Sequence, residues 1–213
     1  MELKNLTINF LGDSITEGHG TTAPYKVFHQ IIKDKYNMKH AYNYGVGGTR
    51  IARQIVPTKE STKFDLTFEL RSEIMDKNAD AIVVFGGTND YGHGDAPFGT
   101  LESEDIYTFC GAVNSLIKTL KHNFPNAKLI FMTPIHRVHE NQSSMPDSKK
   151  LEDYVNAILM ICQNNNVPVI DLFKINPLDP TDMDIVPDGL HPNDKGHAIM
   201  AQVIAEELLK LNI

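Results

Sequence analysis

Cysteines, basic clusters and long apolar runs are all scarce in this sequence. Only two cysteines occur in 213 residues; Cys110 and Cys162 both lie in segments of helical pattern, which argues against a disulfide framework and predicts buried thiols. Acidic residues outnumber basic ones, 27 to 20, without any basic patch, so a nucleic-acid partner is not expected. The N-terminus lacks the apolar segment of a signal peptide, and no run reaches the roughly 18 apolar residues of a membrane span. We therefore expect a cytoplasmic protein that does not enter a membrane.

The composition is that of an ordinary globular chain. Hydrophobic residues make up 41% of the sequence, enough for one sizeable core at this length. No internal repeat or low-complexity segment interrupts the chain. We predict a single domain over residues 1–213, which leaves open whether the protein forms a homo-oligomer.

Short apolar runs alternate with longer segments of helical period, which predicts an α/β fold with a parallel sheet covered on both faces. Five strands are expected, at residues 6–11, 40–45, 81–86, 128–133 and 167–173. Helices are expected at residues 25–36, 64–77, 104–123, 149–165 and 194–211. In the last helix a stripe of apolar residues is predicted to face the core, with Asn193 or Asp194 as the cap; the stripe comprises Ile199, Val203, Ile204, Leu208 and Leu211.

Polar or glycine-rich residues follow several of these strands, where ligands bind in open parallel sheets. The segments are "GDS" at 12–14, "NYGVGGT" at 43–49, "GGTND" at 86–90 and, before the last helix, "DGLHPN" at 188–193. Each alone has an ordinary structural explanation as a helix cap or a turn. Together they supply what ester hydrolysis by a serine requires: a hydroxyl, a base, a carboxylate that orients the base, and donors for the developing negative charge.

These segments resemble the four signature blocks of the SGNH hydrolases, also called the GDSL esterase and lipase family. "GDSIT.G", the glycine block, "G.ND" and "D..H" occur in the family's order between Gly12 and Pro192. The resemblance implies a flavodoxin-like, three-layer α/β/α sandwich with a five-stranded parallel sheet. The "G-x-S-x-G" elbow of α/β-hydrolases is absent, which disfavours that other serine hydrolase fold.

The resemblance also implies a role for each matching residue. Ser14 corresponds to the nucleophile, His191 to the general base and Asp188 to the residue that orients His191. The oxyanion hole is expected to comprise the backbone N–H of Ser14, the backbone N–H of Gly48 and the side-chain amide of Asn89. Gly48 is preferred to its neighbour Gly47 because it matches the glycine of the family's block. We expect Asp13 to shape the turn at Ser14, and we expect no cofactor.

Two other kinds of site have weaker support. The remaining histidines do not show zinc-site spacing within a convincing ligand set, so no metal is expected; they include His19, His93, His136, His139 and His197. The segment "GVGGTR" follows a strand, but its glycines at 45, 47 and 48 do not have the G-x-G-x-x-G spacing of a dinucleotide site.

Two polar loops are expected to line the substrate pocket, "YGHGDAPFGTLES" at 91–103 and "PIHRVHENQSSMPDS" at 134–148. Polar and charged side chains predominate in them, namely His93, Asp95, His136, Arg137 and His139, with Tyr91, Phe98 and Met145 as the large apolar exceptions. Long acyl chains need extended apolar walls, so we predict a serine esterase acting on short-acyl, acetyl-type esters of a hydrophilic alcohol such as a carbohydrate. Alternatives are an acyltransferase, a lysophospholipase or thioesterase-type acylhydrolase, and a non-catalytic binding module.

Overall fold

The computed structural model describes residues 3–56, 65–142, 147 and 149–211. In these residues five strands form one sheet in the order β2-β1-β3-β4-β5, and every neighbouring pair is parallel. The strands are β1 (Thr7–Gly12), β2 (His40–Gly45), β3 (Ala81–Phe85), β4 (Lys128–Met132) and β5 (Val169–Ile170). The prediction of a five-stranded parallel sheet is confirmed.

Eight α-helices and a 3-10 helix at Pro24–Lys26 accompany the sheet in the described residues. The α-helices are α1 (Ser14–Glu17), α2 (Phe28–Tyr36), α3 (Phe68–Ser72), α4 (Thr88–His93), α5 (Phe109–Asn123), α6 (Leu151–Asn164), α7 (Leu172–Ile175) and α8 (Asp194–Lys210). None of these helices combines the length and the apolar character that crossing a membrane requires.

Alternate residues of each central strand enter different cores, because successive side chains of a strand point to opposite faces. In β3, Ile82 and Val84 pack with α5 and α6, whereas Val83 and Phe85 pack with α2 and α8. The molecule is therefore the expected three-layer α/β/α sandwich. Cys110 and Cys162 are buried free thiols in the α5 and α6 layer, as predicted.

Helix and strand limits differ from the prediction where polar side chains cap the chain. The helix expected from residue 104 begins at Phe109, because Thr108 accepts the N–H of Gly111 as its N-cap. The strand expected at 167–173 is only two residues long, because Asp171 caps α7. The segment expected to be helical at 64–77 contains only the five residues of α3, and residue 64 itself lies outside the described residues.

The last helix begins where expected, and its buried stripe overlaps the predicted one. Asn193 is the N-cap and accepts the N–H groups of Lys195 and Gly196. Ile199 is exposed, so its assignment to the core is wrong. Ile204 and Leu208 are buried as predicted, and Val203 and Leu211 are partly buried against the same core. The helix also buries side chains that the prediction left out, namely those of His197, Met200, Ala201 and Ala205.

The carboxyl ends of three strands lie side by side and create the rim of the site. Gly12, the last residue of β1, pairs with Gly45 of β2 on one side and Phe85 of β3 on the other. The chain continues from these strands into α1, into the loop at 46–52, and into α4. Three of the sequence segments singled out above therefore meet at one edge of the sheet, as the parallel topology requires.

Candidate active site

Ser14 is the first residue of the helix that follows β1. The helix cap is Asp13, whose carboxylate accepts the N–H of Ile15 at 3.0 Å. The Ser14 hydroxyl is therefore not used as a cap, and its Oγ lies 2.9 Å from Nε2 of His191. The expectation that Asp13 shapes this turn is confirmed.

Asp188 fixes the other side of the His191 ring. Its Oδ2 is 2.6 Å from Nδ1 of His191, while its Oδ1 accepts the backbone N–H groups of Leu190 and of His191 itself. Because a carboxylate only accepts, Nδ1 carries the proton and the lone pair of Nε2 is directed at the Ser14 hydroxyl. Partial burial alone raises the pKa of the Asp188 carboxyl, but the hydrogen bonds from His191 and Leu190 lower it to about 2.

Gly48 and Ser14 each present a backbone N–H at this rim. Ser14 is in the first turn of α1, where N–H groups have no acceptor within the helix. Gly48 adopts φ +76, a conformation that favours glycine, and among the described residues no group accepts its N–H. The N–H of Gly47 instead donates to Oε2 of Glu17 at 2.9 Å. The geometry thus supports the choice of Gly48 over Gly47.

Asn89, near the start of α4, is oriented by hydrogen bonds at both ends of its amide. Its Nδ2 donates to the Thr49 carbonyl at 3.0 Å, and its Oδ1 is 3.0 Å from Nε2 of His93. Nδ1 of His93 is 2.7 Å from Nη2 of Arg50. Since an arginine cannot accept, Nδ1 is the acceptor and Nε2–H donates to Asn89. One N–H of the Asn89 amide is left for a ligand.

The protonation of His93 is consistent with this arrangement. Burial, together with the nearby cations of Arg50 and Arg137, lowers the pKa of His93 to about 4. The ring is therefore neutral near pH 7, with the single proton that the hydrogen bond to Asn89 requires. The network fixes which end of the Asn89 amide carries the N–H groups.

Buried charged side chains form hydrogen bonds with the backbone at the same rim. Asp90 accepts the N–H groups of Ile51 and Ala52, and burial raises its pKa to about 6. Burial likewise raises the pKa of Asp13 to about 7. Arg71 donates to the Gly12 carbonyl and to the Thr49 hydroxyl, both at 2.8 Å. These groups tie the end of β1 to the loop that contains Gly48.

Four of the five sequence-predicted site residues, Ser14, Gly48, Asn89 and His191, line a cavity of about 370 Å³. The fifth, Asp188, does not line it and contacts Nδ1 of His191. Two residues of the expected pocket loops, His93 and Arg137, also line the cavity. Two further residues on its wall, Glu17 and His19, had no predicted role in the pocket. In the described residues the full lining is Ser14, Glu17, His19, Gly47, Gly48, Asn89, His93, Arg137, Leu190 and His191.

The other loop residues expected to line the pocket face elsewhere, so that part of the prediction is wrong. Asp95 accepts the N–H groups of Ile55 and Val56, and Phe98 packs against the core. The remaining ones are engaged with their own loop or its neighbours: Tyr91 donates to the carbonyls of His139 and Gln142, Nδ1 of His139 faces the Gln142 amide, and His136 contacts Glu140 and Phe173. Met145 lies outside the described residues.

One group of side chains in the described part of the chain has donor atoms close enough to bind a metal ion. Atoms of His19, Asp188 and His191 lie within 4.8 Å of one another, and the rings of His19 and His191 are edge to face at 4.4 Å. Two of the three residues already form the hydrogen-bonded chain to Ser14. An ion bound there would compete with that chain.

Solved structures share this fold over nearly the whole chain. A protein from Lactobacillus plantarum is 27% identical, with a TM-score of 0.82, and the match covers 97% of this chain and 98% of that one. A lipase/acylhydrolase from Enterococcus faecalis is 22% identical with a TM-score of 0.64, covering 95% of each chain. An acetyl xylan esterase is 20% identical with a TM-score of 0.64, covering 95% of this chain and 99% of that one.

The family match covers the segments described above. None of the curated proteins matches this chain significantly. Residues 10–199, however, match the profile of the GDSL-like Lipase/Acylhydrolase family. That range includes Ser14, Gly48, Asn89, Asp188 and His191. The chain therefore belongs to the GDSL-like lipase/acylhydrolase family.

Proposed function

We propose that this protein is a serine esterase that hydrolyses carboxylic esters through an acyl-enzyme on Ser14. The observation that supports this most directly is the unbroken chain of hydrogen bonds from Asp188 through His191 to Ser14, with heavy-atom distances of 2.6 and 2.9 Å. A serine hydroxyl is a weak nucleophile until such a base accepts its proton.

In the first half of the proposed reaction, Ser14 Oγ forms a bond to the carbonyl carbon while its proton passes to Nε2 of His191. The carbonyl oxygen becomes an oxyanion, which accepts from the N–H groups of Ser14 and Gly48 and from the Asn89 amide. When the tetrahedral intermediate collapses, the bond to the alcohol oxygen breaks, and His191 returns the proton to that oxygen.

The second half releases the acyl group by the same steps with water. His191 removes a proton from a water molecule as its oxygen bonds to the acyl carbon, and the bond to Ser14 then breaks. The proton returns to Ser14 Oγ, so that the enzyme is restored and a carboxylic acid leaves. Asp188 stays ionised throughout and stabilises the imidazolium form of His191.

The cavity favours a short acyl group on a hydrophilic alcohol. Most of the described residues that line it have polar or charged side chains, and Leu190 is the only one among them with an aliphatic side chain. Long acyl chains require extended apolar walls, which supports acetyl-type esters, such as those of carbohydrates. The fold shared with an acetyl xylan esterase is compatible with this substrate class.

Labelling with a fluorophosphonate probe tests the nucleophile. We expect the wild type and Ser103→Ala to be labelled, because Ser103 is bonded to Thr108 away from the cavity, and Ser14→Ala to be unlabelled. Equal labelling of Ser14→Ala would exclude Ser14 as the nucleophile.

Activity on para-nitrophenyl esters from acetyl to dodecanoyl should fall with chain length, and a rise would contradict the short-acyl proposal. Adding an alcohol acceptor would reveal an acyltransferase by formation of a new ester.

A further inference from the structure

Arg137 is a cation on the wall of this cavity without a carboxylate partner among the described residues. Its Nη1 donates to the carbonyl and the hydroxyl of Thr88, both at 3.2 Å. Its Nε is buried and has no hydrogen bond. Nη2 has no acceptor either, yet it is not among the buried unpaired atoms, so it is accessible. No Asp or Glu in the described residues forms an ion pair with this guanidinium.

The side chain is fixed in place rather than extended into solvent. Its own backbone N–H donates to Oε2 of Glu140, and the guanidinium lies 5.6 Å from the centre of the Tyr91 ring. Gly92 lets it lie against α4, since a Cβ at that position would be only 2.8 Å from Nη1. Arginine held in this way loses little further freedom when it binds a ligand.

The carboxylates around the cavity are already engaged by other donors. Oε2 of Glu17 accepts the N–H of Gly47, and Asp188 accepts from His191 and Leu190. Glu140 faces Nδ1 of His136 as well as the backbone of Arg137. None of them accepts a hydrogen bond from the guanidinium of Arg137.

A fixed, partly buried cation normally has an anionic partner, because its desolvation is otherwise uncompensated. Here the accessible N–H groups of Nη2 belong to a residue that shares a cavity of about 370 Å³ with Ser14. Guanidinium groups bind carboxylate, phosphate and sulfate oxygens strongly and with defined geometry. An ester substrate with such a group would supply the missing partner.

We propose that Arg137 binds an anionic oxygen group of the substrate, so that the preferred substrates are acidic esters whose carboxylate, sulfate or phosphate lies within reach of the scissile bond. This inference rests on the proposed function, because it requires the ester to react at Ser14. Arg137 acts on specificity and takes no part in the bond-making steps.

A matched pair of neutral and anionic acetates tests the proposal. We expect kcat/KM for para-acetoxybenzoate to exceed that for para-acetoxybenzamide by about 10-fold or more, as one charge-assisted contact allows. Arg137→Gln should reduce the ratio to about 1, and because the ratio compares two esters in the same variant, it does not depend on the absolute activity that this variant retains. Arg137→Lys, which keeps the charge without the planar fork, should retain part of the preference.

The control variant is Arg53→Gln, which removes the same charge from a site remote from the Ser14 cavity; it should leave the ratio unchanged. A second pair, para-nitrophenyl hydrogen succinate against para-nitrophenyl butyrate, places the anion on the acyl side. A preference in either pair that depends on Arg137 supports the proposal. Competition by benzoate, phenyl sulfate and phenyl phosphate then identifies which oxygen group binds best.

The results that overturn the proposal are distinct from those that overturn the proposed function. Hydrolysis of all four esters without any preference for the anionic member, or a preference that survives in Arg137→Gln, would exclude anion binding by Arg137 and leave the esterase intact. Failure to hydrolyse any of them, together with equal labelling of wild type and Ser14→Ala, would overturn both. Melting temperatures within a few degrees of the wild type would show that each variant is folded.

Discussion

The two halves of the proposed active site differ in how far they are exposed to solvent. The donor half comprises Ser14, Gly48 and Asn89 at the sheet edge, where Ser14 and Asn89 are buried, only 7% and 4% exposed. The base half, comprising Asp188 and His191, lies on the loop before α8, and the Asp188 side chain is 51% exposed. Fixed donors act most strongly where water is excluded. A base that exchanges protons with alcohol and water benefits from access to solvent.

The carboxylates next to the two halves differ in the direction in which their pKa is shifted. Under the donor half, burial raises the pKa of Asp13 to about 7 and that of Asp90 to about 6. In the base half, three hydrogen bonds outweigh partial burial and lower the pKa of Asp188 to about 2. The donor half therefore contains carboxylates that the fold keeps at a cost in stability, whereas the carboxylate of the base half is ionised at every practical pH.

The largest expected effect comes from changing the base half without changing its shape. In Asp188→Asn the amide oxygen should take the place of Oδ1, which accepts two backbone N–H groups, so the NH2 group faces Nδ1 of His191. That ring must then accept at Nδ1 and protonate Nε2, which cannot act as a base. We expect kcat to fall by about 10⁴-fold. Steady-state kinetics on para-nitrophenyl acetate measures the loss.

Asp188→Ala is the informative comparison for that variant. Because the Asp188 side chain is half exposed, water can take its place and accept the Nδ1 proton when the carboxylate is removed, and the productive tautomer persists. We expect Asp188→Ala to retain at least about 10-fold more activity than Asp188→Asn. Equal activity of the two variants would show that the tautomer is not what Asp188 determines.

The donor half should respond to loss of a single donor. Asn89→Ala removes one oxyanion contact, worth about 3 kcal/mol in the barrier, so kcat should fall by about 100-fold or more with little change in KM. Asn114→Ala is a matched control, because the Asn114 amide donates to two carbonyls far from the cavity. A decrease in kcat of less than about 5-fold in Asn89→Ala would exclude the amide as an oxyanion donor.

The sequence predicts the sheet better than it predicts the helices. Strands β3 and β4 are nearly continuous apolar runs buried on both faces, a pattern with few alternative structures. The ends of α5 and β5 depend on single capping residues, Thr108 and Asp171. Such residues also occur freely in loops, so the limits could not be fixed before the structure was known.

The strand-end segments indicate candidates for the proposed site residues, and the family resemblance assigns each a role, whereas the contacts that hold these residues in place could not be predicted. Ser14 and His191 are separated by 177 positions, and no local pattern links them. Glu17 and Gly47 contact each other across 30 positions, and Arg71 reaches Thr49 across 22. These contacts depend on how the strand ends meet in space. His93 is the exception, because it lies one helical turn after Asn89.

The position of His93 one helical turn after Asn89 allows a further test of the donor half, with a smaller expected effect on kcat. His93→Ala removes the hydrogen bond that orients Asn89, worth about 1.4 kcal/mol, so kcat should fall by about 10-fold. His93→Gln, which can still donate to the Asn89 oxygen, should recover part of the loss. His40→Ala serves as the control, because His40 is the first residue of β2 and the site lies at the carboxyl end of that strand. Recovery by His93→Gln separates a positioning role from a general loss of stability, which thermal melting monitors in parallel.

The smallest effect concerns stability and should be visible only as a dependence on pH. The raised pKa of Asp13 means that between pH of about 4 and 7 the folded chain binds more protons than the unfolded chain, so the free energy of unfolding falls as pH rises. Asp13→Asn keeps the cap on Ile15 without a buried charge. Relative to the wild type, its free energy of unfolding should rise by about 1 to 3 kcal/mol between pH 5 and pH 8 in urea unfolding, as the raised pKa of Asp13 implies. If the difference in the free energy of unfolding between Asp13→Asn and the wild type were the same at pH 5 and pH 8, Asp13 would be ionised in the folded protein at both pH values. The donor half would then contain a buried charge, in contrast to the exposed charge of Asp188 in the base half.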